Sequence, residues 1–497
     1  MIPKSGLKPN SVAYERHPVI APSGFREYDA RWLFGPDLNL LGVRLLGLAL
    51  GTLLNRRGVE PRIVTGHDYR SYSASVKDAL IVGLMASGCE VHDIGLCITP
   101  MAYFAQFDLD VPAVAMVTAS HNENGWTGVK MGLDRPLTFG PEDMATLKAM
   151  VAAGDVERRS GGALIDVEGL QARYMDDLCK GPKLKRHLRT VVACGNGTAG
   201  PFALEVLARL GCDVIPLDCT PDWTFPRYNP NPEDLAMLKA MAQAVRERDA
   251  DLALGFDGDG DRCGVVDNEG HEIFADKLGV LLARDMAAEH PNARFVVDVK
   301  STGLFTTDPV LQSLGATTEY WKTGHSHMKR RTQETGALAG FEKSGHYFLR
   351  EPLGRGYDDG LLSAIAICRM LDRNPGKSLA DLHRGLPRTW STPTMSPHCA
   401  DDAKYGVIAR LTAHMEQLHR AGGTLAGEAI ASVSTINGVR VTLASGSWGL
   451  VRASSNKPEL VVVCESPVSE ARMRAVFKAL DAELSAYPEV GAYNQKI

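Results

Sequence analysis

The chain has no excess of positive charge: 54 lysines and arginines face 59 aspartates and glutamates, a formal charge of −5. That balance argues against nucleic acid or an anionic membrane as a general partner, while leaving room for a local basic cleft. It has no apolar run long enough to cross a bilayer. Met1-Ile2-Pro3-Lys4 carries no basic-then-apolar leader, so a cytoplasmic protein is expected. The ten cysteines are scattered and form no Cys-x-x-Cys pair, which fits reduced, buried thiols. What is present is a globular composition, 44% hydrophobic and 23% charged. At 497 residues the chain is long enough for several domains.

The densest chemistry lies in Gly255-Phe256-Asp257-Gly258-Asp259-Gly260-Asp261-Arg262. Three carboxylates at alternate positions repel one another unless a counter-charge joins them. One hard divalent cation with oxygen ligands satisfies all three. The ordinary alternative is a solvated acidic loop. An EF-hand is excluded, because Arg262 stands where its sixth-position glycine belongs and Asn268 where its glutamate belongs. The flanks Leu252-Ala253-Leu254 and Cys263-Gly264-Val265-Val266 read as strands. Magnesium suits such a site, since it keeps positions open for a phosphate oxygen.

From about Leu41, helical and strand-like stretches alternate, which predicts a parallel or mixed sheet covered by helices. Ligands bind beyond the carboxyl ends of strands in such sheets. The buried strand Val111–Val117 leads into Thr118-Ala119-Ser120-His121-Asn122, with Lys130 beyond it. Ser120 is placed as a nucleophile that can carry a phosphoryl ester, and Lys130 supplies a point charge for phosphate oxygens. An N-capping serine in a polar loop is the alternative.

A second α/β unit opens at Arg189–Cys194 and runs into Gly195-Asn196-Gly197-Thr198-Ala199-Gly200. This is formally the dinucleotide fingerprint, with Asp218 after the next strand. Pro201 follows the last glycine directly and no nicotinamide chemistry accompanies it, so a tight strand-to-helix turn is the better reading. A third unit holds Phe295–Lys300, Thr323-Gly324-His325 and Glu342-Lys343-Ser344-Gly345-His346. If that last segment is extended, Glu342 and Ser344 point to one side and can serve neighbouring sugar hydroxyls. After a proline-punctuated boundary near Pro387, an α+β rhythm follows. There Arg452-Ala453-Ser454-Ser455-Asn456 makes a donor-rich loop between strands, suited to a phosphate dianion.

The serine loop with Lys130 and the Asp257–Arg262 run together resemble the α-D-phosphohexomutase family. They are most similar to its bacterial phosphomannomutase/phosphoglucomutase group. The resemblance spans about Phe25 to Glu465, and its four loops come in family order. Departures are Glu123 for a common proline, Thr127 for an asparagine, and Phe341 for a glycine. Ala453 and Ser455-Asn456-Lys457 replace the usual residues of the last loop. The first two imply an altered loop conformation or rate rather than lost chemistry.

The resemblance implies three successive α/β domains and a C-terminal α+β domain around a central cleft. We expect boundaries at 1–160, 161–272, 273–388 and 389–497. It implies magnesium on Asp257, Asp259, Asp261 and phosphorylated Ser120. It also implies a hexose 1,6-bisphosphate as intermediate and activator, and Arg31 as a further balancing charge. Substrate contacts are expected from Tyr28, Arg262, Lys300, Thr323, Gly324, His325, Glu342, Lys343, Ser344, Gly345 and His346. The Arg452, Ala453, Ser454, Ser455 and Asn456 loop is expected to hold phosphate. His346 or Lys130 is the candidate proton acceptor. The expected activity moves phosphate between C6 and C1 of mannose or glucose phosphate. Alternatives are a phosphoglucosamine mutase, a sugar-phosphate phosphatase and a non-catalytic sugar-phosphate sensor. The expected partners are hexose phosphates alone, with the chain a monomer or small homo-oligomer.

Overall fold

A computed structural model describes residues 2–496. The chain divides into two compact units. One comprises 1–275 and 344–380, the other 276–343 and 381–497.

The first unit contains two sheets. In the first sheet the strands are β1 (Ala30–Leu33), β2 (Arg62–His67), β3 (Glu90–Leu96), β4 (Ala113–Val117), β5 (Trp126–Gly132) and β6 (Ala163–Asp166). Their spatial order is β1-β5-β4-β2-β3-β6. β2 pairs in parallel with both β3 and β4, while β5 runs antiparallel to β4 and β1. β4 is apolar throughout and buried on both faces, as an interior parallel strand must be. The helices Leu40–Arg56, Ser73–Ala86 and Pro141–Ala153 share a core with this sheet. The sheet continues past residue 160, because β6 adds to β3 as its edge strand. The N-terminal stretch is tied down by Asn39, whose amide bonds Val19 N, Gly42 N, Tyr14 O and His17 O.

The second sheet is built from β7 (Arg189–Ala193), β8 (Asp213–Leu217), β9 (Leu252–Phe256), β10 (Cys263–Asp267) and β11 (Glu272–Ile273). Its order is β11-β10-β9-β7-β8. β9 and β10 pair antiparallel from Phe256 opposite Cys263, so the Asp257–Arg262 segment is the hairpin tip between them. β15 (Tyr347–Leu349) and the helix Gly360–Arg373 also lie in this unit.

In the second unit, β12 (Arg294–Asp298) pairs in parallel with β13 (Thr317–Trp321) and β14 (Ala339–Phe341). An antiparallel sheet follows in the order β16-β21-β20-β19-β18-β17. Its strands are β16 (Trp390–Ser391), β17 (Thr424–Leu425), β18 (Glu428–Ser434), β19 (Val439–Leu443), β20 (Trp448–Ala453) and β21 (Leu460–Ser466). The helices Lys404–Arg420 and Glu470–Leu484 share one apolar core with it. Trp448, Leu450, Val461 and Val463 form another with Val299.

Two local expectations change. The stretch from Trp448 to Ala453 is a fully buried strand, so the donor-rich loop is confined to 454–457. Burial of every side chain in that strand outweighs the polar reading of its arginine. Residues 342–346 turn rather than extend, with Gly345 at φ 94°. Glu342 and Ser344 therefore do not share a face by strand alternation. Among the described residues, no helix is long and apolar enough to cross a membrane.

Candidate active site

Ser120 leaves the carboxyl end of β4, and Asp257 leaves that of β9. Both ends carry loops, as the strand-end rule requires. The Ser120 hydroxyl donates to Asp257 Oδ2 at 3.1 Å and lies 3.3 Å from His121 Nδ1. Ser120 itself is buried and sits at φ 51°, in the left-handed region that side chains other than glycine seldom adopt. The neighbouring hairpin tip fits closely against it. A Cβ on Gly258 would lie 2.5 Å from the Ser120 carbonyl oxygen, so only glycine admits this approach.

Asp257, Asp259 and Asp261 are all fully buried, and each offers an oxygen within 4.8 Å of the others. Among the described residues, Asp259 Oδ1 and Asp261 Oδ1 accept no hydrogen bond. Orphaned, buried carboxylate oxygens converging on one point are what a hard divalent cation would fill. The donor set fits magnesium.

Lys130 projects from β5 to Asp259 Oδ2 at 2.8 Å and also pairs with Asp261. Burial alone would push its ammonium down, but Asp259 and then Asp261 more than offset this and hold it protonated. Burial likewise works against the Asp259 carboxylate, yet Lys130 outweighs it and keeps the group well below the usual range. Burial raises Asp257, opposed by the Arg262 guanidinium, whose Nε lies 3.1 Å from Asp257 Oδ2. Arg31, on β1, is anchored by Asp29 at 2.7 Å and donates to Thr118 O at 3.2 Å. Tyr28 is buried just before it. His346 Nδ1 stands 2.9 Å from Asp358 Oδ2 and 3.6 Å from Asp261 Oδ1. Ser120, Lys130, Arg31, Arg262 and His346 thus gather around the carboxylates within one unit. Ser344 and Gly345 precede His346 in the chain, and Gly345 O accepts from Cys263 N at 3.2 Å.

The glycine-rich turn after β7 braces this cluster. Thr198 N donates to Gly258 O at 3.1 Å, and Tyr69 N donates to Thr198 Oγ1 at 3.0 Å. A Cβ on Gly200 would lie 1.8 Å from Cys219 O, so this glycine serves close packing of strand and helix.

In the second unit, Asp298 at the tip of β12 gathers several of the sequence candidates. Its carboxylate accepts from Thr323 Oγ1 at 2.9 Å and Lys343 N at 3.1 Å, with Lys300 Nζ 3.7 Å away. Lys343 Nζ also donates to Asp276 at 3.2 Å. Gly324 and His325 begin the helix His325–Glu334, and Glu342 is buried beside Lys343. Asn437 Oδ1 accepts from Arg452 Nε at 2.8 Å and from Thr323 N at 3.3 Å, tying the end of β20 to Thr323. Ala453, Ser454 and Ser455 are buried, and Asn456 is exposed.

Sequence reading missed Asp298 and Asn437 as organisers, and it missed Asp68, Arg70 and Asp358 in the first unit. Asp68 and Arg70 directly follow β2, a signal the strand-end rule could have supplied. Asn437 sits in an unremarkable turn and gives none.

Four family models match the chain in order. These are Phosphoglucomutase/phosphomannomutase alpha/beta/alpha domain I at 22–158, domain II at 172–270 and domain III at 274–390, then the C-terminal domain at 399–483. The chain is similar to the phosphomannomutase/phosphoglucomutase of Pseudomonas putida, 35% identical over 462 residues, covering 93% of this chain and 96% of that one. It is 32% identical over 459 residues to a phosphoglucomutase of Neisseria gonorrhoeae, covering 92% of this chain and 96% of that one. Its fold is similar to a solved phosphoglucomutase/phosphomannomutase family protein of Burkholderia thailandensis. The TM-score is 0.83 at 30% identity, over 94% of this chain and 98% of that one. The chain belongs to the phosphoglucomutase/phosphomannomutase family.

Proposed function

We propose that the protein is a phosphohexomutase that moves phosphate between C6 and C1 of glucose or mannose phosphate through Ser120. The observation that carries this reading is the Ser120 hydroxyl lying 3.1 Å from Asp257 within a buried carboxylate trio.

A sugar hydroxyl attacks the phosphoryl group on Ser120, forming one phosphorus–oxygen bond as the bond to Ser120 Oγ breaks. The hydroxyl proton passes to His346, the proton acceptor we assign because Lys130 is held protonated by two carboxylates. Asp358 steadies that imidazole. A magnesium ion on Asp257, Asp259, Asp261 and the Ser120 oxygen would neutralise charge on the transferring group. Lys130 and Arg31 add fixed positive charge where it develops, which is the main requirement of phosphoryl transfer. The product, a hexose 1,6-bisphosphate, turns end for end and returns its other phosphate to Ser120. The same bisphosphate primes the serine.

We assign the non-reacting phosphate to Arg452, Ser454, Ser455 and Asn456. Sugar hydroxyls are assigned to Glu342 and Ser344, with Tyr28, Arg262, Lys300, Thr323 and His325 completing the contacts. The ten unpaired cysteines fit a reducing compartment, and so a cytoplasmic protein.

The test is a coupled assay over glucose, mannose and glucosamine 1-phosphates with magnesium and glucose 1,6-bisphosphate. Isomerised glucose or mannose phosphate in large excess over released inorganic phosphate is expected. Inorganic phosphate as the main product would instead identify a phosphatase. Binding without turnover would identify a sensor.

A further inference from the structure

Ser120 holds a left-handed backbone conformation, at φ 51°, that is unfavourable for an L-residue. Something must over-determine it, and a buried ion pair does so. Arg70 and Asp68 follow β2 directly and pair with each other, both side chains 1% exposed. Arg70 Nη2 donates to the carbonyl of Ser120 at 3.0 Å and to that of Asn122 at 2.6 Å. The guanidinium therefore grips the loop on both sides of His121. Asp68 Oδ2 accepts from Thr118 Oγ1 at 2.8 Å and from Ala119 N at 3.3 Å. Thr118 Oγ1 in turn accepts from Ser120 N at 2.9 Å. The amide of Ser120 is thus fixed through Thr118 and its carbonyl through Arg70. Asp68 Oδ1 is anchored by Ser73 Oγ at 2.6 Å and Arg70 N at 3.2 Å. Phe225 lies under the guanidinium, 5.5 Å from ring centre to Cζ.

We propose that Asp68 and Arg70 are positioning residues for phosphoryl transfer, holding Ser120 in its left-handed conformation so that Oγ meets Asp257. The proposal rests on Ser120 being the phosphoryl carrier. Neither residue reaches the reacting atoms in this arrangement; both act on the peptide groups that flank them. A guanidinium suits the task because its fixed fork serves two carbonyls and a carboxylate at once. A lysine ammonium on a flexible stem cannot hold that geometry.

The experiment uses full-length enzyme with magnesium and glucose 1,6-bisphosphate, comparing Arg70→Met, Arg70→Lys, Thr118→Val and Thr118→Ser. The readouts are kcat and KM for glucose 1-phosphate, and the rate of Ser120 phosphorylation by intact mass. Misplacing a reacting group by about 1 Å costs on the order of 10²-fold. Arg70→Met and Thr118→Val are expected to lose about that factor in kcat and in phosphorylation rate, with KM within about twofold. Thr118→Ser, which keeps the hydroxyl, restores most of the rate, whereas Arg70→Lys does not. If Arg70 variants fail to fold, the Thr118 pair decides. Equal rates for Thr118→Val and Thr118→Ser, or wild-type kcat in folded Arg70→Met, would overturn the proposal. A wild-type enzyme that never phosphorylates Ser120 would instead overturn the functional reading beneath it.

Discussion

Ser120 Oγ and Asp257 Oδ2 lie 3.1 Å apart although 137 positions separate them in the chain. The loops that follow β4 and β9, strands of two different sheets, meet here, and a glycine at 258 allows them to touch. Replacing that glycine is the first test. Gly258→Ala drives a methyl group into the Ser120 carbonyl. Neither group is a flexible side chain, so the loop must shift. We expect kcat to fall by about 10²-fold and stability by about 1–3 kcal/mol, read from steady-state assays and urea unfolding. Unchanged kcat would show that the two loops tolerate separation.

Lys130 balances Asp259 and Asp261. Lys130→Met removes that charge and leaves two buried carboxylates facing each other, so kcat should fall by about 10²–10³-fold. Raising magnesium should recover part of the loss, because a cation takes over some of the missing charge. A loss confined to KM would contradict this role.

Arg452 is held by Asn437. Arg452→Ala is expected to raise KM for glucose 1-phosphate by about tenfold, the cost of one charge-assisted contact. Phosphorylation of Ser120 should remain possible. Asn437→Ala should reproduce a smaller version of the same change. Unchanged KM in both variants would remove this loop from substrate binding.

Glu465 lies in the second unit, where it accepts from Lys277, Thr302, Gly303 N and Trp448 Nε1. Burial works against its charge, but the Lys277 ammonium and these donors outweigh it and lower its pKa to about 2. A carboxylate depressed in the folded state contributes stability that is complete above its unfolded value. That contribution disappears as pH falls towards about 2. The unfolding free-energy difference between wild type and Glu465→Gln should therefore be largest near neutrality, at about 3 kcal/mol. It should shrink steadily below about pH 4.5. A difference independent of pH would contradict the assignment.

The meeting of Ser120, our proposed nucleophile, with a carboxylate trio could be anticipated from the sequence because each is a local cluster of chemistry at a strand end. Strand and helix alternation was legible for the same reason, since burial imposes its period on neighbouring residues. The supports were not. Asp298 and Asn437 are ordinary residues locally, and only tertiary folding turns them towards Thr323, Lys343 and Arg452. Arg452 and Ala453 read as part of a donor-rich loop because of the serines and amide beside them, whereas burial of every residue from Trp448 to Ala453 makes that segment a strand. The turn at 342–346 was hidden by a two-residue alternation that a glycine at φ 94° interrupts.

The central claim is that Ser120 carries the transferred phosphoryl group beside a cation-binding trio. Its most direct test is a single turnover with enzyme whose Ser120 bears a labelled phosphoryl group, mixed with glucose 1-phosphate. The label should leave Ser120, appear in glucose 1,6-bisphosphate and then in glucose 6-phosphate, and chelation of divalent cations should stop it. Glucose 6-phosphate forming at the normal rate while the label stays on Ser120 would contradict the account.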